Sequence, residues 1–223
     1  MKGEHIYVEH PRDTSARMNT LHGIYFNIAQ EEYIKCLDVE DTDISGMHEG
    51  EKMELSYKST GHAIKAIVFS SMCVESAINN YAGTQLGDNY YDNHLNNLDV
   101  LSKWVVIPDL VCGKSIDKSG PAYNSLKKLI KARNKLVHNK SKEYNPTDPN
   151  LYKHLEKSEV DFKNDFENSL KALYLLRMEM DFVLGQAHNP IGTLDPAFTW
   201  FEIPEQVKDI FNRCKSIVLK QYS

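Results

Sequence analysis

Residues 125–140 read SLKKLIKARNKLVHNK, and this stretch decides the fold class because it has the period of an amphipathic helix. At about 100° per residue its apolar side chains form one stripe: Leu126, Leu129, Ile130, Leu136 and Val137. Arg133 falls in the middle of that stripe. A charged side chain on a core-facing stripe is costly unless it is paired or lines a wet cleft. The stretch therefore predicts a core helix that carries an unusual arginine.

Three polar side chains with complementary chemistry lie at the end of this helix. Asn134 and His138 are four residues apart, so they share a face beside the stripe that holds Arg133. A guanidinium can bind two phosphate oxygens at once, and an imidazole exchanges a proton near neutral pH. Arg133, Asn134 and His138 are therefore candidate catalytic residues of a phosphate-handling site. The alternative for His138 is the common one of a histidine that only interacts with the helix dipole.

The hydrophobic pattern of the sequence before and after this helix predicts an all-α protein. Its expected architecture is an antiparallel helical bundle with additional N- and C-terminal helices. Besides the central helix, helical periodicity covers residues 17–37, 55–82, 93–111, 160–186 and 204–222. Residues 38–52, 144–150 and 193–204 are predicted to be irregular connections. We expect a single domain over residues 1–223, with a core at about 55–187 and accessory segments at 1–54 and 188–223.

The helix predicted at 55–82 offers a partner for the arginine. Glu75 falls inside its apolar stripe, so two helices each place one charged side chain, of opposite sign, on a core-facing surface. This predicts that Glu75 pairs with Arg133, either as a structural ion pair that fixes helix register or as a support that orients the guanidinium. Asn79, one turn further on, lines the same cleft in this interpretation, or caps the polar end of the bundle. The other histidines, including His62, have no partner at a useful spacing.

Positive charge is concentrated around the central helix. Residues 114–142 contain nine Lys or Arg and one acid, a local charge of +8 in a chain of net charge −5, so the remainder carries −13. Such a segment on an acidic protein is typical of a polyanion-binding surface. The predicted RNA contacts are Lys127, Lys131, Lys135 and Lys140. The alternative is a solvated helix face rich in lysine, which explains most of these residues but not Arg133.

Composition excludes several classes of protein. The hydrophobic and charged fractions, 41% and 26%, are ordinary for a soluble globular chain. No apolar run approaches the roughly 20 residues of a membrane span, and residues 1–5 lead into no signal peptide, so we expect a cytoplasmic protein. The four cysteines form no C-x-x-C pair, which disfavours zinc and disulfides. No glycine-rich phosphate loop or zinc-protease motif occurs, and we expect no cofactor or metal.

The order Arg133, Asn134, His138 resembles the motif of the HEPN family (higher eukaryotes and prokaryotes nucleotide-binding domains). That motif is an arginine, often followed by a polar residue, and a histidine after four to six residues. Residues 74–81, VESAINNY, also resemble a HEPN helix, and the resemblance spans roughly residues 63–187. It implies an RNA endonuclease that needs no metal, with His138 exchanging protons, Arg133 stabilising charge on the phosphate and Asn134 orienting either group.

The resemblance also implies a setting and partners. HEPN ribonucleases typically form homodimers in which two motifs face one cleft, and they serve prokaryotic defence or toxin–antitoxin systems in which a cognate antitoxin protein restrains the nuclease. The competing hypothesis is a non-catalytic HEPN-like scaffold that binds nucleotides or partner proteins through the same cleft. Retention of both Arg133 and His138 favours the enzyme, because a scaffold needs neither.

Overall fold

The computed structural model describes residues 17–141, 143, 145, 147–194 and 202–223, and within them the chain is all-helical. The seven α-helices are α1 (His22–Glu40), α2 (Glu49–Leu86), the short α3 (Asp88–Tyr90), α4 (Val100–Cys112), α5 (Pro121–Val137), α6 (Leu151–Leu184) and α7 (Lys208–Tyr222). A π turn covers Tyr91–Leu95, and 3-10 turns cover Gln186–His188 and Glu205–Val207. The all-α prediction is confirmed. No helix in the described ranges is both long and apolar enough to cross a bilayer.

Two helices begin earlier than predicted. The segment 38–52 was expected to be irregular throughout, but α2 starts at Glu49, where Glu51 accepts the backbone N–H of His48 at 2.8 Å. Acidic residues in a first turn are favourable because they complement the helix dipole. Helix α6 likewise starts at Leu151 rather than near residue 160. Residues 144 and 146 of one predicted connection, and 195–201 of another, lie outside the described residues.

The helix that carries the motif begins at Pro121, ahead of the stretch 125–140, and ends slightly early. Gly120 precedes Pro121, which occupies the first turn, where its missing N–H costs nothing. The last helical residue is Val137, so His138 is the residue that caps the C-terminus.

Helices α2, α5 and α6 bury their apolar stripes in one shared core. α5 packs on α6 and α2, and α2 also packs on α6. Fully buried side chains come from each of them: Ile67 and Ile78, Leu126 and Leu129, Leu170 and Leu173. α1 and α7 join the same core, where Tyr33 of α1 stacks on Phe166 of α6 with ring centroids 4.2 Å apart. This packing holds α5, the helix that carries the motif, against α2 and α6.

Candidate functional site

Arg133 lies at the edge of the buried face of α5 rather than in its middle. The buried residues of this helix are Ala122, Ser125, Leu126, Leu129 and Ala132. Val137, counted in the predicted stripe, is 51% exposed, whereas Ala132 packs inward. The buried face is therefore rotated away from Val137, and Arg133 is half-buried. The prediction that Arg133 lies in the middle of the core-facing stripe is wrong, because the residue lies at the edge of the buried face.

Glu75 does not pair with Arg133, so that prediction is also wrong. None of the ion pairs or hydrogen bonds in the described ranges joins these two residues. The buried residues beside Glu75 on α2 are Val74, Ala77 and Ile78, and Glu75 is half-buried at the side of that row. It lines a cleft with Tyr91 and Asn79, away from α5. Neither Glu75 nor Asn79 supports the motif directly.

Arg133 and Asn134 are joined by a hydrogen bond. Nη1 of Arg133 donates to Oδ1 of Asn134 at 3.0 Å. Because a guanidinium has only donors, the amide oxygen must face it, and this fixes the orientation of the amide. The NH₂ group of Asn134 therefore points away from Arg133 and remains free to donate to a ligand oxygen.

His138 is exposed at the helix terminus. Its backbone N–H donates to the carbonyl oxygen of Asn134 at 3.0 Å, which anchors the residue to the last turn. Its side chain takes part in none of the hydrogen bonds found in the described part of the chain. His138 is five positions after Arg133, which corresponds to about 140° around a helix. The backbone positions of Arg133 and His138 therefore lie on different sides of the end of α5.

The four predicted RNA-contacting lysines are all exposed, but they are not equivalent. Nζ of Lys135 lies 3.8 Å from Oδ2 of Asp165 on α6. Both residues line a cleft of about 570 Å³ between α5 and α6, and Lys131 and Asp161 line it too. Burial raises the pKa of the Asp165 carboxyl, and Lys135 and Lys131 oppose that increase. The cleft between α5 and α6 is thus of mixed charge. Lys127 and Lys140 have no ion pair among the described residues and remain free for phosphate.

The buried arginine of the fold is Arg177 on α6, which the sequence analysis missed. Its Nε and Nη2 donate to the carbonyl oxygens of Gly192 and Thr193, both at 2.9 Å. The guanidinium lies 4.5 Å from the centre of the Phe26 ring, and burial lowers its pKa to about 10. The signal was available in the sequence, because position 177 continues the helical spacing of Leu173. Arg177 fastens the loop after α6 to the core.

A second missed cluster centres on Glu32, which is only 7% exposed between α1 and α2. Its carboxylate accepts from Lys35 at 2.8 Å, Nδ1 of His62 at 2.7 Å and Lys65 at 2.9 Å. Burial alone would raise the pKa of Glu32, but these hydrogen bonds outweigh it and lower the pKa to about 2. An ionised carboxylate only accepts, so Nδ1 of His62 carries the proton. Glu32 and His62 are 30 positions apart in the sequence, which explains why no local pattern revealed their pairing.

This cluster is not an alternative active site. Three donors occupy the Glu32 carboxylate, which leaves it little capacity to accept a proton from a substrate. Its role is to join α1 to α2. The end of α5 remains the candidate site, because Asn134 and His138 are exposed there and Arg133 is only half-buried.

Comparison of the chain with protein-family models, with curated proteins and with solved structures finds no match. The HEPN resemblance therefore stays a prediction that rests on the motif.

Proposed function

We propose that this protein is a metal-independent RNA endonuclease of the HEPN type, acting as a homodimer in a prokaryotic defence or toxin–antitoxin system. The observation that carries the proposal is the arrangement at the end of α5. Arg133 is held by Asn134 with the amide NH₂ turned outward, and the imidazole of His138 is exposed. The exposure of Asn134 and His138 supports the proposal, because a phosphate can reach them from solvent.

The chemistry assigned to these groups is transesterification within the RNA. The ribose 2′-oxygen attacks the adjacent phosphorus and loses its proton to a base, while the bond from phosphorus to the 5′-oxygen breaks and that oxygen gains a proton. The products are a 2′,3′-cyclic phosphate and a 5′-hydroxyl. His138 supplies proton transfer. The guanidinium of Arg133 stabilises the charge that develops on the non-bridging oxygens, and Asn134 donates to one of them.

The geometry of a single protomer supports a composite site. One imidazole cannot serve as base and acid at the same moment, and a single chain supplies one motif histidine. A C2 dimer that brings two helix ends together supplies two imidazoles and two guanidinium groups to one cleft. Lys127 and Lys140, which are exposed and have no ion pair in the described ranges, then contact the flanking phosphates.

The test uses substrates that differ only in the attacking group. Purified protein is incubated in EDTA with a labelled RNA, with the same RNA carrying 2′-deoxyribose at the cleaved nucleotide, and with DNA. We expect the RNA to be cut to a 2′,3′-cyclic phosphate, and the two other substrates to resist at that position. Light scattering at micromolar concentration should show a dimer. Saturable RNA binding without cleavage across many substrates would reject the enzyme in favour of a scaffold.

A further inference from the structure

One face of α2 is buried in the core at one end of the helix and exposed at the other. Four residues at seven-residue spacing lie on nearly the same face: Ile78, Ser71, Ile64 and Tyr57. In that order their exposed fractions are 0%, 1%, 37% and 72%. Met53, one turn beyond Tyr57, is also exposed. Apolar side chains on the N-terminal half of this face therefore lie in solvent, and nothing in the chemistry assigned to α5 uses them.

The exposed part of this face has the spacing of a helix that packs on another helix. Its members, which we call the α2 seam, recur after four, three and four residues: Met53, Tyr57, Thr60 and Ile64. All four are exposed. This alternation of three and four is that of the a and d positions of a coiled coil. The α2 seam therefore fits a second helix that presents an equivalent row of side chains.

Contacts between helices place the α2 seam at the same level of the bundle as the motif of α5. Oγ of Ser59, within the span of the seam, lies 3.4 Å from Sγ of Cys36 on α1. One turn before Cys36, α1 stacks on Phe166 of α6. The preceding residue of α6, Asp165, lies 3.8 Å from Lys135 of α5, and α5 itself packs on α2. A partner seated on the α2 seam therefore lies near the end of α5.

The charges around the seam favour an antiparallel pair of α2 helices. Residues 49–54 contain three Glu and one Lys, a net charge of −2, whereas residues 58–65 contain two Lys and no acid, a net charge of +2. Lys65 also bonds to Glu32, but its side chain stays half exposed. An antiparallel arrangement places the acidic part of one helix opposite the basic part of the other, whereas a parallel one places like charges together. The partner that this surface fits is therefore a second copy of itself.

The end of α5 extends the apolar surface. A standard interface buries roughly 800 Å² on each partner, more than four side chains of one helix supply. Val137 of α5 is exposed and lies one turn after Arg133, so the two share a face. Both are two positions from Lys135, which lies near α6, and this corresponds to about 160° around the helix. An interface that covers Val137 therefore runs beside Arg133.

We propose that two copies of this chain associate through the α2 seam, with their α2 helices antiparallel about a two-fold axis that passes between Tyr57 and Thr60. Met53 of one copy then packs against Ile64 of the other, as a and d positions do in an antiparallel pair. The same axis places both α5 ends on one side of the interface, where each copy contributes its motif. The inference rests on the proposed function, which needs a second copy to complete the site, and it names the surface that supplies that copy.

The first experiment measures the dimer dissociation constant of the full-length protein by sedimentation velocity. We expect a dimer at micromolar concentration for the wild type, and at least tenfold weaker association for Met53→Lys. Met18→Lys is the matched control, because it also replaces an exposed methionine but lies before α1, and it should associate as the wild type does. Melting curves check that both variants stay folded, as expected for changes at exposed positions.

The second experiment reads the direction of the helices by disulfide formation. A double variant with Met53→Cys and Ile64→Cys has two thiols about 16 Å apart on one helix, too far for a disulfide within the chain. The antiparallel pair predicts covalent dimers of the double variant under mild oxidation, and few of either single variant. The wild type controls for the four natural cysteines. Single variants that cross-link as readily as the double variant would contradict the antiparallel arrangement.

A monomeric wild type, or Met53→Lys that associates as tightly as the wild type, would overturn the proposed interface. RNA cleavage, measured on the same samples, separates this result from the proposed function. A dimer that Met53→Lys dissociates but that cuts no RNA would reject the nuclease and leave the interface in place. A ribonuclease whose dimer is insensitive to Met53→Lys would do the reverse.

Discussion

Arg177 and Arg133 lie on helices that pack against each other, and they show how burial separates a structural cation from an available one. Arg177 is 8% exposed, and its guanidinium donates to two loop carbonyls and covers the Phe26 ring. Arg133 is half-buried and donates to its neighbour Asn134. A cation enclosed by fixed acceptors stabilises the fold but offers nothing to a ligand. The half-buried one retains donors that can face solvent, which is what binding a phosphate requires.

The largest predicted difference is in stability. Arg177→Ala should lower the free energy of unfolding by about 3–5 kcal/mol, because it removes a buried cation and leaves loop carbonyls and Asp181 without it. Arg133→Ala should lower the free energy of unfolding by less than about 1 kcal/mol, since the hydrogen bond of Arg133 is exposed. The same change should abolish RNA cleavage. Urea unfolding followed by circular dichroism measures both variants, and equal losses would break the distinction between the two arginines.

The Glu32 cluster extends the comparison to acids. The folded pKa of Glu32, about 2, lies below its ordinary value of 4.5. The ionised form is therefore favoured by folding, and this contribution is present above pH 4.5 and lost as the pH falls towards 2. Glu32→Gln should lower the free energy of unfolding by about 1–3 kcal/mol at pH 7. The difference in stability from the wild type should shrink as the pH falls from 4.5 towards 2.

Urea titrations at several pH values measure this effect, with Glu54→Gln as the exposed control. A deficit that does not change between pH 7 and pH 3 would contradict the role given to the Glu32 ion pairs.

Glu179 provides the opposite case, a fully buried carboxyl whose burial outweighs the hydrogen bonds from Asp117 and Tyr222 that lower its pKa. Its Oε1 accepts the backbone N–H of Asp117 at 3.3 Å, and burial raises its pKa above 4.5. The folded state then binds the proton more tightly, so wild-type stability falls as the pH rises through the folded pKa. Glu179→Gln removes that loss and should raise the unfolding free energy by about 1 kcal/mol at pH 8. A destabilised variant at pH 8, measured by thermal melting, would show that the carboxylate is well compensated.

The smallest predicted effect separates the lysines of α5. Lys127 has no ion pair in the described ranges, whereas Lys135 lies 3.8 Å from Asp165. Lys127→Gln should reduce the slope of log binding constant against log salt for RNA by about 1, as expected for one lost phosphate contact. Lys135→Gln should reduce it less, because that lysine is partly neutralised before RNA binds. Fluorescence anisotropy across a salt series distinguishes the two, and a larger effect of Lys135 would reverse their assignment.

The sequence was sufficient for the fold class and for the shared core, because apolar residues at helical spacing must be buried somewhere. The sequence was not sufficient to predict which side chains of different helices pair with each other. Glu32 and His62 are far apart in sequence, and their pairing depends on how α1 packs on α2. Glu75 was assigned to Arg133 because both lie near apolar stripes, yet small differences in helix rotation direct them to separate clefts. Periodicity gives the angle of a side chain around its own helix, but not the neighbour that it meets.

The most direct test of the account compares two histidines. His138 and His154 are both exposed, but His154 lies on α6 outside the motif. Each is changed to alanine, and cleavage of a labelled RNA is measured in EDTA after melting curves have confirmed equal stability. The account predicts that His138→Ala loses at least about a hundredfold in rate, as expected for a proton-transfer group, whereas His154→Ala matches the wild type. Cleavage by His138→Ala at the wild-type rate would contradict it.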